Sequence, residues 1–207
     1  MNVLVACEFS GTVRDCFSAM GHFAVSCDLL PCESETKDGI HIQGDCIPLL
    51  YHPSRYDLPE WDLVIAHPPC TYLSSSGLHW NKRQPSRALK TEEALNFVSK
   101  IWNAPCPRLC IENPVGCIST RLKDLGKPQY VQPYFFGEDA SKKTGLWTRG
   151  LPLLVGTDEP VTPRIIDGKP RWGNQSDTGQ SRLGGGSGHT RSVTYFGIAS
   201  AMALQWS

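Results

Sequence analysis

Asp62-Leu63-Val64-Ile65-Ala66-His67-Pro68-Pro69-Cys70 is the stretch on which the reading of this chain turns. Asp62 to Ala66 is a short, mostly apolar run with β-branched residues at its centre, the signature of a buried strand. The two prolines that follow remove backbone donors and stiffen the chain, so the side chain after them is held in a fixed direction at the strand's carboxyl end. In an open α/β sheet, that edge is where ligands bind. A cysteine at a strand end is often a buried, inert thiol, so Cys70 needs company before chemistry is read into it.

Company comes from Leu109-Cys110-Ile111-Glu112-Asn113-Pro114, a second apolar run that ends in a carboxylate. Between the two, Arg87 to Trp102 has helical periodicity, with Ala88, Leu89, Ala94, Leu95, Val98 and Ile101 expected along one stripe. A strand, a covering helix and a strand make neighbouring parallel strands, which would bring Cys70 and Glu112 to one edge of the sheet. Upstream, Asn2 to Ala6 and His22 to Leu29 read as strands flanking a helix from Thr12 to Met20. The fold class expected is α/β: a mixed, mostly parallel sheet with helices on both faces. Beyond Glu112 prolines interrupt the pattern, leaving Tyr130 to Phe136 and Gly145 to Trp147 as short strands. Tyr195 to Trp206 reads as a closing helix carrying Ile198, Ala201, Met202 and Gln205. Residues 158–191 are polar and rich in Gly and Pro, with Arg164, Lys169, Arg171, Arg182 and Arg191 around Trp172. This stretch is either a mobile active-site loop or a plain connection.

The 207 residues suffice for one substantial core, so a single domain spanning 1–207 is expected. Twenty basic residues balance twenty acidic ones, so no global field announces a nucleic-acid partner; charge would have to be local. Nine cysteines at irregular spacings, with no secretory signal before them, read as reduced thiols rather than a disulfide framework or zinc site, and no metal is expected. No apolar run approaches the ~18 residues of a membrane span. The expectation is a soluble, cytoplasmic protein without a membrane partner.

Three further strand ends carry polar groups. Glu8-Phe9-Ser10-Gly11-Thr12-Val13 turns from strand to helix around one glycine, as nucleotide-binding turns do and as tight turns also do. Cys27-Asp28-Leu29 places an acid where Rossmann-type units bond ribose hydroxyls, and Gly44-Asp45-Cys46 closes what reads as a third strand with another. Together they suggest an adenosine pocket; solvated surface acids are the bland alternative for Asp28 and Asp45.

With these motifs in place, the chain resembles the DNA (cytosine-5) methyltransferase family, in particular short, phage-type members lacking a large target-recognition domain. The resemblance covers Val3 to Asp45, Trp61 to Gly77 and Leu109 to Gly116, and more loosely Lys142 to Leu151 and Arg191 to Trp206. Pro69-Cys70 followed by Ser74 and Gly77 matches the family's P-C-x-x-x-S-x-x-G loop, and Glu112-Asn113-Pro114 resembles its E-N-V. Related amino-methyltransferases carry an aromatic residue after the two prolines, so Cys70 favours a carbon target.

The resemblance implies a Rossmann-like, S-adenosylmethionine-dependent methyltransferase fold, with the cofactor held by Phe9, Ser10, Gly11, Thr12, Asp28, Leu29, Asp45, Cys46 and Pro68. Cys70 would add to carbon 6 of cytosine, and Glu112, with a carboxyl pKa raised by burial or by the base, would assist at the ring nitrogen. Ser74, Asn113, Lys143, Thr144 and Arg149 would meet the substrate; apart from the resemblance, Arg164 and Arg171, cations interleaved with Trp172, suit phosphates and an unstacked base. DNA is the implied partner, and a specificity partner or homodimer is left open.

Several family features are missing. Val13 stands where a second glycine is usual, and Thr71 replaces the glutamine after the cysteine. The Gln-x-Arg-x-Arg motif is not evident, and Lys142-Lys143-Thr144 with Arg149 occupies that stretch. The Gly-Asn pair of the last motif is absent from Tyr195 to Ala203. Specificity would therefore fall to residues 158–191 or to a partner. Two alternatives stay open: modification of free cytosine nucleotide or transfer of a group other than methyl, and a non-catalytic binding module on the same fold.

Overall fold

The computed structural model describes residues 1–36, 39–157, 159–182, 189 and 192–207. Its centre is a seven-stranded sheet ordered β3-β2-β1-β4-β5-β7-β6. β1 (Asn2–Ala6), β2 (Phe23–Asp28), β3 (Ile40–Gln43), β4 (Leu63–Ala66) and β5 (Arg108–Pro114) run parallel. β6 (Gln129–Val131) and β7 (Thr144–Arg149) complete the sheet, with β7 antiparallel to both neighbours. The chain winds outward from β1 to β3, then returns to β4 and β5 on the other side. The gap between β1 and β4 is thus the topological switch point, where α/β sheets open a crevice for ligands.

The central strands are apolar on both faces because both are covered. Leu4, Ala6, Val64, Ala66, Leu109 and Ile111 face one layer, which holds α2 (Cys46–Tyr51) and the long helix at Pro85–Trp102. Val3, Val5, Leu63, Ile65 and Cys110 face the other, formed by α1 (Thr12–Ala19) and the C-terminal helix Phe196–Trp206. This period-two division follows from the strand pleat. On the C-terminal helix Ile198, Ala199, Met202, Ala203 and Trp206 are buried, and Gln205 instead bonds the Val155 backbone in both directions.

Three expectations need correction. Leu89, expected on the buried stripe, is exposed; Thr91 is the buried residue there, its hydroxyl donating to the Tyr72 carbonyl at 3.0 Å. The strand expected over Tyr130 to Phe136 stops at Val131, because Pro133 cannot donate to the ladder and a 3-10 turn, Pro133–Phe136, begins there. Within residues 158–191, the choice between mobile loop and plain connection missed a hairpin of β8 (Arg164–Ile166) and β9 (Lys169–Arg171). Its turn residues, Asp167 and Gly168, both have positive φ, 50° and 70°, as a type I′ turn requires. Trp172 then stacks on Tyr134 at 4.3 Å, and Asn174 exchanges hydrogen bonds with the Ser141 backbone. The ends of the stretch, Asp158 and Arg191, and its Gly184–Gly188 run lie outside the described residues.

Candidate active site

Cys70 follows β4 and Glu112 lies near the end of β5, adjacent parallel strands paired Ala66 with Ile111, so both belong to the carboxyl edge of the sheet. The loop after β4 is stitched to the end of β5. Asn113, 1% exposed, donates its side-chain amide to the Pro68 carbonyl at 2.7 Å. The Ser75 and Cys117 amides donate to the Val115 and Leu73 carbonyls, and Ser74 bridges Gly116. Gly116 permits this approach: a Cβ there would stand 1.9 Å from the Leu73 carbonyl oxygen. Cys70 itself is half-buried, and its carbonyl accepts from the Leu73 and Ser74 amides in a tight turn. Ser74 bonds Ser76 through the hydroxyls.

Glu112 is 8% exposed. Burial works against its ionisation, but a hydrogen bond from His67 Nδ1 at 3.1 Å, the Lys142 charge and a Thr144 hydrogen bond outweigh it and hold the carboxyl below the ordinary glutamate value. A pKa raised by burial, one of the two expected causes, is therefore corrected: without a base in place the acid is ionised at neutral pH. Lys142 and Thr144 sit where β7 passes the end of β5, Thr144 opposite Pro114.

Walled in part by Pro68, Pro69 and Tyr72 of the Cys70 loop, a cavity of about 590 Å³ opens between the ends of β1, β2 and β4 and the long helix. Asp28, Leu29, Asp45, Cys46 and Pro68 line it, joined by Cys7, Tyr72, Ala94 and Phe97. Asp28 ends β2 and gives one oxygen to the Leu30 amide at 2.9 Å. Asp45 caps α2 by accepting from the Ile47 amide at 2.9 Å. Volume, an acid at the β2 end and apolar walls suit an adenosine-bearing cofactor. Phe9, Ser10, Gly11 and Thr12 do not line this cavity. Phe9 is buried beneath His189, stacked at 4.3 Å, and Ser10 Oγ lies 3.1 Å from Thr12 Oγ1. Gly11 is in left-handed geometry, φ 73°, where a Cβ would press on the Arg14 guanidinium.

The remaining expected residues separate. Lys143 lies over the Tyr130 ring at the sheet edge, 4.4 Å from its centroid. Arg149 is at the opposite end of β7, paired with Leu109, and its guanidinium donates to the Trp102, Ala104 and Cys106 carbonyls. That is a clamp on the back of the sheet, remote from Glu112. Arg164 and Arg171 sit on the exposed hairpin and bond Asp177 and neighbouring carbonyls.

The sequence reading missed four features. His67 adjoins Pro68-Pro69-Cys70 yet drew no attention; its position directly after an apolar strand was the available signal. Lys142, rather than Lys143, bears on Glu112. Lys90, Glu93, Ala94 and Phe97 face the cavity from one helix side, a spacing of i, i+3, i+4 and i+7 that the core stripe beside it concealed. His79, Trp80, Lys82, Arg83, Arg87 and Lys90 gather cations and an exposed indole next to the Cys70 loop. Arg83 lies 5.6 Å from the Trp80 ring, and Arg87 donates to the Thr71 carbonyl at 2.6 Å.

No family model and no curated protein matches the chain. Among solved structures, it is similar to one described as a DNA modification methyltransferase encoded within an E. coli prophage. That match has 18% identity and a TM-score of 0.50, covering 81% of this chain and 56% of the other. The S. pombe Dnmt2 methyltransferase is also 18% identical, with a TM-score of 0.43, covering 74% and 50%. The chain thus spans about half the length of these neighbours. The first likeness shows the fold alone: a Rossmann-like, mostly parallel sheet of the kind found in that methyltransferase.

Proposed function

We propose that this chain is an S-adenosylmethionine-dependent methyltransferase acting on carbon 5 of cytosine in DNA. The observation that carries the reading is the stitched pair of strand ends: a cysteine behind two prolines, on the loop after β4 that Asn113 and Gly116 tie to the strand bearing a buried carboxylate, β5. Beside them lies a cavity with an acid at the β2 end.

Carbon 5 of cytosine is a weak nucleophile. Addition of the Cys70 thiolate to carbon 6 converts the ring to an enamine, and Glu112 carries the proton that the ring nitrogen takes as electron density builds there. Glu112 is ionised before a base enters, so the proton it shares with the ring nitrogen is taken up from solvent as the base binds. Lys142 and Thr144 keep the carboxyl in place. When bound, S-adenosylmethionine supplies the methyl group as an electrophile, and Asp28 and Asp45 would hold its adenosine. Loss of the carbon-5 proton then expels Cys70. The target base must leave the duplex stack, which costs a few kcal/mol. The indole and cations at Trp80 to Lys90 border the loop such a base would enter.

DNA containing 5-fluorocytosine and S-adenosylmethionine should trap a covalent adduct on Cys70, since fluorine cannot leave as the proton does. Cys70→Ala should form none while keeping the wild-type circular dichroism spectrum and melting temperature. An adduct on another cysteine, or methyl transfer by Cys70→Ala, would overturn the reading. Transfer to free deoxycytidine nucleotide but not to DNA would replace it with nucleotide modification.

A further inference from the structure

His67 is the first residue past β4, its amide bonded to the Ala6 carbonyl at 2.9 Å, and its side chain is 7% exposed. It stands between the ends of β1 and β5. Glu112 faces it from β5 at 3.1 Å, the Thr194 hydroxyl approaches the same Nδ1 at 3.4 Å, and Glu8 lies near from the turn after β1. The Glu8 carboxyl is turned to cap α1, accepting from the Val13 and Arg14 amides. Lys142 is the other charge bearing on Glu112. Beside an ionised carboxylate, Nδ1 must carry a proton. Nε2 is buried with no hydrogen-bond partner among the described residues. A histidine kept only for packing would have both nitrogens satisfied, because an unpaired buried polar atom is costly. The ring's one strong bond is spent on the carboxyl facing Cys70's loop.

We propose that His67 is a positioning residue for Glu112: its Nδ1–H, 3.1 Å from the carboxyl, fixes the orientation in which Glu112 meets the ring nitrogen of an entering base. The inference rests on the methyltransferase reading for its role in turnover, but the His67–Glu112 coupling stands apart from it. Burial alone would push the Glu112 carboxyl up; the histidine bond is the largest influence in the opposite direction. Asparagine places an amide N–H where Nδ1 stands and cannot titrate, so it separates orientation from general packing.

Two measurements test this. Carbon-13 NMR of the Glu112 carboxyl needs no turnover. His67→Ala should move its titration midpoint upward by a unit or more, about tenfold or more in acid dissociation, while His67→Asn stays close to wild type. In single-turnover methylation, His67→Ala should lower the rate about 10- to 100-fold with S-adenosylmethionine affinity unchanged, and should shift the acid limb of the pH–rate profile. His67→Asn should recover most of the loss. An unmoved Glu112 midpoint in His67→Ala, or His67→Asn as slow as His67→Ala at wild-type melting temperature, would overturn the proposal. Absence of transfer by the wild-type protein would sink the methyltransferase reading instead, leaving the NMR result to decide the coupling.

Discussion

Glu112 shows how a single side chain is set by its surroundings. Its folded pKa lies below the unfolded value of about 4.3, so it contributes stability that is fully present above pH ~4.3 and is lost as pH falls through the folded value. Glu112→Gln removes that contribution and leaves Lys142 and His67 without an ionic partner. At pH 7 the variant should be less stable by about 1–3 kcal/mol, and transfer should be abolished. In urea titrations the gap from wild type should close as pH drops below about 4. A gap that widens in acid would mean that the carboxyl is not ionised in the native state. The sequence made Glu112 legible as an acid at a strand end, but not the sign of its shift. That sign depends on His67 and Lys142, which come from two other segments and meet it only when the sheet forms.

Elements matter here through how tightly they are joined. The Cys70 loop is a strand end clamped to the next strand, and Gly116 is where the two backbones touch. Gly116→Ala should cost on the order of 1–3 kcal/mol by overpacking, because the contact atom is the Leu73 backbone carbonyl and cannot swing away. A lowered melting temperature with a larger loss of adduct formation is expected; an unchanged melting temperature would mean that the loop sits off β5. Two basic elements compete as the nucleic-acid surface. One is the Trp80 to Lys90 segment beside Cys70; the other is the β8–β9 hairpin, whose Asp167-Gly168 turn was readable as a hairpin signal and was passed over. If the first contacts phosphates, Lys82→Ala with Arg83→Ala should flatten the salt dependence of duplex binding by about 0.9 log unit per lost contact. Arg164→Ala with Arg171→Ala should leave the slope unchanged. The opposite pattern in filter binding would return that role to the hairpin.

At the scale of the molecule, a ligand in the cavity between β1, β2, β4 and the long helix should stabilise the whole sheet. S-adenosylmethionine at a hundred times its dissociation constant should add about 2.7 kcal/mol, read as a rise in melting temperature. Asp28→Ala should weaken binding by on the order of 1–3 kcal/mol and remove most of that rise at fixed ligand concentration. An undiminished rise would place the cofactor elsewhere. The sequence by itself determined the strands that became Asn2–Ala6, Leu63–Ala66 and Arg108–Pro114, the covering helices, and the parallel neighbourhood of the two strands that lead to Cys70 and carry Glu112. Each follows from local periodicity and from the rule that a helix between two strands makes them parallel neighbours. No helix among the described residues is long and apolar enough to cross a membrane. Only the tertiary structure decided that Arg149 clamps the back of the sheet, that Phe9 to Thr12 stand outside the cavity, and that His67 bonds Glu112. These depend on which end of an antiparallel strand meets its neighbour and on which buried atoms are left without partners. Such contacts join residues far apart in sequence, and local pattern carries no record of them.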